Sequence, residues 1–319
     1  MRIVELIFLL VVWILVPTPV AASPNLPADA SRLSCPDQHL RAKDIVASRG
    51  LRQPEGASQS GSPFIPLDAL LLRTTEQRRN FMLQSIREEI QGRHSTFDLR
   101  ALDRVLGVMR AIDRKKFLPP AQQDAAYLPL SVDIGFCQTL SDAYIIALVV
   151  SAAHVEPRFN VLDVGTGSGY QAAILSRLAR HVQSLEIVPQ LAAQARRRLK
   201  QMGYRNIDVA AADGYVGWPK RAPFDVIIVG AGSTAIPQPL LDQLKPGGRL
   251  IMPIGPTIVE EELVLAVKTE TGAVTRCTLG LAAFVPMTGR AQSIAHGSAR
   301  SEPSNALRGL PRCYAAPVT

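Results

Sequence analysis

Val161-Leu-Asp-Val-Gly165-Thr-Gly167-Ser-Gly169-Tyr170 decides how this chain is read. A short apolar run meets three glycines on alternate positions, and Gln171-Ala-Ala-Ile174-Leu175 follows at once. The pattern predicts a strand, a tight turn and a helix. Glycines allow positive φ and let a ligand come close to the main chain. The first N–H groups of the helix, with its dipole, favour an electron-rich partner. In an open α/β sheet, a turn at the carboxyl end of a parallel strand is where ligands bind. Such a turn also serves as a plain tight connection, so the residues after it decide the case.

Downstream, strands and helices alternate. Strand 161–164 leads to helix 170–180, and strand 182–187 to a helix that Pro189 starts and Gly203 ends, as proline at N1 and glycine at C′ do. Leu191, Ala195, Leu199 and Met202 form its inner face, with Arg196-Arg-Arg198 read as its solvated side. Strand 207–211 precedes Asp213-Gly214. Strand 225–229 is followed by a short helix at 239–244, and Lys245-Pro-Gly-Gly turns into strand 249–253. Strands 263–268 and 274–281 join at Glu270-Thr-Gly-Ala as a hairpin. The expectation is an α/β fold: a mostly parallel sheet covered on both faces, with an antiparallel edge hairpin.

Upstream lies a helical subdomain. Helix 75–91 carries Phe81, Ile86 and Ile90. In helix 98–112, Leu99, Leu102, Leu106, Met109 and Ile112 recur at three- and four-residue spacing and predict one buried face. Arg114-Lys-Lys-Phe117-Leu-Pro-Pro120 breaks the helical pattern. Residues 127–141 read as an extended loop, and helix 142–150 follows with Ser141 as a candidate N-cap.

The 319 residues are 47% hydrophobic, enough for a sizeable core. The formal charge is +8, but Lys and Arg are spread along the chain and read as solvated surface, so no nucleic-acid partner is expected. Residues 1–22 have a signal-peptide pattern: an apolar run of about ten residues, too short to span a bilayer, then small residues with Val20 and Ala22 at the positions a peptidase reads. This implies export to the periplasm or beyond, with no stable membrane span once the leader is cut. Residues 23–73, rich in Pro, Ser, Gly and Ala, read as a disordered linker, and 291–319 as a disordered tail. The four cysteines, Cys35, Cys137, Cys277 and Cys313, have no zinc spacing, so no metal is expected. A Cys35–Cys313 bridge would tie the two tails together, and free or buried thiols are the other option.

Three signals fall at the carboxyl ends of successive strands: Asp163 with Gly165, Gly167 and Gly169; Glu186, about twenty residues on, where a carboxylate meets ribose hydroxyls; and Asp213-Gly214, placed for an adenine amino group. Together they describe a nucleoside pocket. Dinucleotide turns are spaced G-x-G-x-x-G, whereas the spacing here is G-x-G-x-G. Asp163 before the turn suits a cation, such as the sulfonium and amino groups of S-adenosylmethionine, better than a pyrophosphate. The expected donor-binding residues are Asp163, Gly165, Thr166, Gly167, Gly169, Glu186, Asp213 and Gly214.

Further segments carry a resemblance. Lys116-Phe117-Leu-Pro, Gly135-x-x-Gln138-Thr139-Leu-Ser141, the glycine turn with Tyr170-Gln-Ala-Ala, Asp213-Gly-Tyr-x-Gly-Trp218, Ala222-Pro-Phe-Asp-Val-Ile-Ile-Val229, Leu244-Lys-Pro-Gly-Gly-Arg-Leu and Phe284-Val-Pro-Met-Thr-Gly289 span 75–290. They resemble the protein-L-isoaspartate (D-aspartate) O-methyltransferase family. The resemblance implies a Rossmann-like, S-adenosylmethionine-dependent methyltransferase fold over 74–290, with helices and substrate loop in 74–150 and the donor-binding sheet in 151–290. It implies methyl transfer to the free carboxylate of L-isoaspartyl and D-aspartyl residues in damaged proteins and peptides, by a monomer that is cytoplasmic in most of the family. It places Gln138, Thr139 and Ser141 over the donor, Ser141 as hydrogen-bond donor to the substrate carboxylate.

The chain departs from the family pattern at three places. Phe136-Cys137 replace His-Gly or Gln-Gly. Asp142-Ala143 replace Gln-Pro, setting a negative charge near a carboxylate site at a cost of about 1 kcal/mol when partly screened. Gly230-Ala-Gly232 replace Thr-Ala-Ala and are expected to loosen the pocket wall. These keep two alternatives open: a catalytically impaired S-adenosylmethionine-binding protein, and a methyltransferase for another carboxylate.

Overall fold

A computed structural model describes residues 74–256, 261–291 and 310–313. The leader, the linker and most of the C-terminal tail read from the sequence lie outside those residues. The chain begins with helices α1 (Thr75–Arg93) and α2 (Leu99–Ala111). Thr74 and Gln77 form a capping box at α1, and Asp98 caps α2 through the N–H groups of Arg100 and Ala101. The core face of α1 is Met82, Leu83, Ile86 and Ile90, with Phe81 only half-buried.

Residues 127–141 are not a plain loop. They hold a small antiparallel hairpin, β1 (Val132–Gly135) and β2 (Gln138–Leu140), before α3 (Ala143–Ala152). The N-cap of α3 is Asp142, whose carboxylate accepts from the Tyr144 N–H at 3.0 Å, rather than Ser141.

A single seven-stranded sheet follows, in the order β5-β4-β3-β6-β7-β8-β9. Its strands are β3 (Asn160–Val164), β4 (His181–Glu186), β5 (Ile207–Ala211), β6 (Phe224–Val229), β7 (Leu244–Ile254), β8 (Glu261–Lys268) and β9 (Val274–Ala282). β3 to β7 pair in parallel, and β8 and β9 form the antiparallel edge. The helices between strands are α4 (Tyr170–Ser176), α5 (Pro189–Gln201) and α6 (Gln238–Asp242). α4 ends four residues early because the Asn206 side chain takes the carbonyls of Ser176, Ala179 and Arg180. Alternate strand residues face two cores: Val161, Val182 and Val226 pack with α1–α5, and Leu162, Leu185 and Ile227 pack with α6.

The chain runs outward from β3 through β4 to β5, then returns to lay β6 on the other side of β3. That reversal opens a crevice at the carboxyl ends of β3 and β6. Gly230 N–H donates to Val164 O at 2.8 Å, joining the two strand ends.

Residues 310–313, within the stretch read as a disordered tail, lie along β9, where Thr278 N–H donates to Pro311 O. Cys313 is bonded to Cys277, so the bridge considered between Cys35 and Cys313 is replaced by Cys277–Cys313. Cys137 is disulfide-bonded as well.

The β1–β2 turn is its own test case. Phe136 and Cys137 both hold φ of 57°, the left-handed pair of a two-residue primed turn. Non-glycine residues cost roughly 1–2 kcal/mol each there, and Asn or Gly is preferred. Phe136→Asn is therefore expected to stabilise the chain by about 1 kcal/mol, a rise of roughly 2–4 °C in Tm by calorimetry. An unchanged or lower Tm would show the tip to be unstrained.

Candidate active site

The turn between β3 and α4 is held from below. Gly165 and Thr166 N–H groups both donate to Leu185 O, at 2.8 and 3.0 Å. Asp163 is fully buried beneath the turn. Its Oδ2 accepts from Ser184 Oγ and its Oδ1 from Gln171 Nε2, both at 2.7 Å. Ser184 Oγ also lies 2.6 Å from Thr166 Oγ1. Asp163, expected from sequence to face a cationic donor, lies behind the residues that line the crevice. It acts through Ser184, Thr166 and Gln171.

Glu186, at the end of β4, does line the crevice. Its Oε2 accepts from Gly167 N–H at 2.8 Å and its Oε1 from Val188 N–H at 2.9 Å. Burial raises its pKa, and these backbone N–H groups oppose the rise. Gly167 needs its glycine: φ is +50°, and a Cβ would stand 3.2 Å from Ile134 Cδ1 of the hairpin.

The crevice brings together most of the residues singled out in the sequence. Gly165, Thr166, Gly167, Glu186 and Gly214 line it, and so do Gln138, Thr139 and Ser141. Gly169 does not line it; it caps α4 with left-handed φ and packs on Leu199. Asp213 is also outside the lining. Its Oδ1 caps a short 3-10 turn through Tyr215 N–H, and its Oδ2 accepts from Arg290 N–H at 2.9 Å, a tether to the segment after β9. Arg196 and Arg198 are not merely solvated: Arg196 reaches Val209 O, and Arg198 donates to Ser168 O on the glycine turn at 2.8 Å.

Sequence reasoning treated Arg114 only as part of a helix break. It is fully buried, and Nη2 donates to Ser141 O at 2.7 Å. Its guanidinium stands 5.1 Å from the centre of the Tyr170 ring, on the first turn of α4. Burial lowers its pKa, while Tyr170, Asp142 and Tyr127 favour the charged form. One cation thus ties the end of the 138–141 segment to the helix that opens from the glycine turn. Asp142, read from sequence as a repulsive charge, faces a compensating cation. The sequence signal for Arg114 was faint: an arginine just before the Lys116-Phe117-Leu-Pro segment, on a turn with no periodicity.

The fold and this crevice define a Rossmann-like α/β protein of the methyltransferase class. The family model "Protein-L-isoaspartate(D-aspartate) O-methyltransferase (PCMT)" matches residues 91–292. The chain belongs to that family. It is 43% identical over 210 residues to "Protein-L-isoaspartate O-methyltransferase 2" of Polaromonas sp. strain JS666, covering 66% of this chain and 100% of that protein. It is 44% identical over 184 residues to "Protein-L-isoaspartate O-methyltransferase" of Gloeobacter violaceus, covering 58% of this chain and 89% of that one. A solved structure titled "putative protein-L-isoaspartate O-methyltransferase" from Plasmodium falciparum, in complex with S-adenosyl-L-homocysteine, shares the fold at TM-score 0.53 and 24% identity, covering 64% of this chain and 97% of that one.

Burial pushes the Asp163 carboxyl up to about 6, against the pull of Ser184 and Gln171. A carboxyl raised in the folded state adds stability that is full below its unfolded value near 4 and is lost as pH rises through about 6. The stability advantage of the wild type over Asp163→Asn is therefore expected to shrink by about 3 kcal/mol from about pH 4 to pH 7. Denaturant titrations of both proteins across that range read it, and parallel curves would exclude Asp163 as the titrating group.

Proposed function

We infer that this chain transfers a methyl group from S-adenosylmethionine to the free carboxylate of L-isoaspartyl and D-aspartyl residues in damaged proteins and peptides, the step that initiates their repair. The observation that carries the reading is that Gln138, Thr139 and Ser141 share one crevice with Gly165, Thr166, Gly167 and Glu186, in a chain of this family.

The residues suit the donor. Glu186 offers a carboxylate at the strand end where ribose hydroxyls are met, and the glycine turn allows close approach. S-adenosylmethionine, when bound, supplies an electrophilic methyl group on a sulfonium. That methyl would pass to a carboxylate oxygen, the C–S bond breaking with its electron pair going to sulfur, to leave a methyl ester and S-adenosylhomocysteine. The carboxylate is already ionised at pH 7, so no strong general base is required. This chain's contribution is positioning and exclusion of water. Ser141 Oγ donates a hydrogen bond to the substrate carboxylate, Gln138 and Thr139 cover the donor, and Arg114 fixes the Ser141 backbone from behind.

No helix among the described residues is long and apolar enough to cross a membrane. We further infer export and action as a monomer, with 74–290 as the catalytic unit behind a cleaved leader and a linker. The Cys277–Cys313 bond supports an oxidising compartment. Thiol trapping on fractionated cells should find the chain outside the cytoplasm with that bond intact. Recovery from the cytoplasm with the leader uncut would return it to the compartment usual for the family.

An isoaspartyl peptide and labelled donor are expected to yield a base-labile methyl ester. Ser141→Ala should lower kcat/KM about 10- to 100-fold, the value of one hydrogen bond to a charged group, with S-adenosylhomocysteine binding retained. Donor binding without any transfer by the wild type would favour the impaired binding protein instead.

A further inference from the structure

The crevice has a third wall, residues 285–288, which follows β9. Its backbone pairs with the chain leaving β6. Gly232 N–H donates to Val285 O at 2.9 Å, and Met287 N–H donates to Gly232 O at 2.7 Å. Glu261, the first residue of β8, lies against this contact and is 3% exposed. Its Oε2 accepts from Phe284 N–H at 2.8 Å, one residue before the wall. Its Oε1 occupies the space where a side chain at 232 would begin: a Cβ on Gly232 would sit 1.6 Å from that oxygen. A side chain at 232 would therefore have to displace the Glu261 carboxylate from its place beside Phe284. Gly230-Ala-Gly232, expected from sequence to loosen the wall, leaves a gap at 232 that Glu261 fills.

A carboxyl group is costly to bury, and an apolar residue would fill the same space at lower cost. Burial pushes Glu261 up to about 7, against the pull of the Phe284 N–H. The carboxyl oxygen sits where it holds the main chain of a pocket wall.

We propose that Glu261 is a positioning residue for methyl transfer: seated in the gap left by Gly232, its carboxylate sets where the 285–288 wall of the donor pocket stands. The inference rests on the methyl-donor reading of that pocket. It makes Gly232 and the hydrogen-bond acceptor at 261 one unit, so neither can be lost alone.

Calorimetry with S-adenosylhomocysteine tests it on the full chain, with Tm measured alongside. Glu261→Ala should weaken binding by about tenfold or more, and Glu261→Gln, which keeps an acceptor for Phe284 N–H, should stay within about threefold of wild type. Gly232→Ala should weaken binding as Glu261→Ala does, and the double variant should be no worse than either single one, because the two residues act together. Wild-type affinity in Glu261→Ala, equal loss in Glu261→Gln, or additive losses in the double variant would overturn the proposal. A fall in Tm with affinity intact would also overturn it, since that is the mark of a purely structural group. If Glu261→Ala does not fold, the Glu261→Gln and Gly232→Ala pair decides. Failure of the wild type itself to bind would instead remove the donor reading, which keeps the two failures apart.

Discussion

Asp163 is a carboxylate with no access to water, and the geometry of the crevice depends on it. The parallel register sets it opposite Ser184 on β4. Ser184 bridges it to Thr166 on the turn, and Gln171 reaches back to it from α4. One acid therefore holds the end of β3, the neighbouring strand, the turn and the first helix of the donor site. Both of its oxygens are hydrogen-bonded, which is the condition for burying such a group at all. Because the network is internal to the protein, the turn is set before any ligand arrives, and a site that works by alignment needs that.

The other two walls use buried polar side chains in the same way. Arg114 ties the Ser141 carbonyl to the α4 side of the crevice, and Glu261 ties Phe284 to the chain leaving β6. Both act on main chain, so their effect is on position more than on net charge at the reacting atoms. They differ in kind from surface pairs such as Arg87–Asp103, whose side chains are 41% and 51% exposed and whose attraction is largely screened. Removing one partner of a buried contact leaves the other unpaired, and the cost falls on the wall that it held.

The alternation of strands and helices after Asn160 was legible in the sequence because buried parallel strands are continuous apolar runs with sharp Gly and Pro punctuation. The β1–β2 hairpin was not, because its strands have only 4 and 3 residues and its turn carries Phe136-Cys137 in place of Asn-Gly. The acidic residues were legible as a set, but their individual roles were not. Asp163 and Glu186 both sit at strand ends. In register, however, Asp163 is level with Ser184, and Glu186 lies two residues higher on β4, roughly 6–7 Å nearer the rim. Height along the strand therefore puts one carboxylate under the turn and the other in the crevice, and a single sequence carries no register. Arg114, Ser184 and Glu261 were missed for a related reason: each is assigned only by a partner 27, 21 or 23 residues away in the chain.

The places where this chain leaves the family pattern are coupled to their surroundings. Taken alone, Asp142 repels a substrate carboxylate. Beside buried Arg114 it favours that cation's charged form, and its own carboxylate caps α3. Taken alone, Gly232 opens a hole, but Glu261 fills it and gains a hold on the pocket wall. Contacting residues contribute non-additively, so the sign of a substitution read in isolation can be the reverse of its sign in place. Phe136 and Cys137 differ from these two: they carry left-handed backbone strain at the hairpin tip, and Cys137 is held by a disulfide.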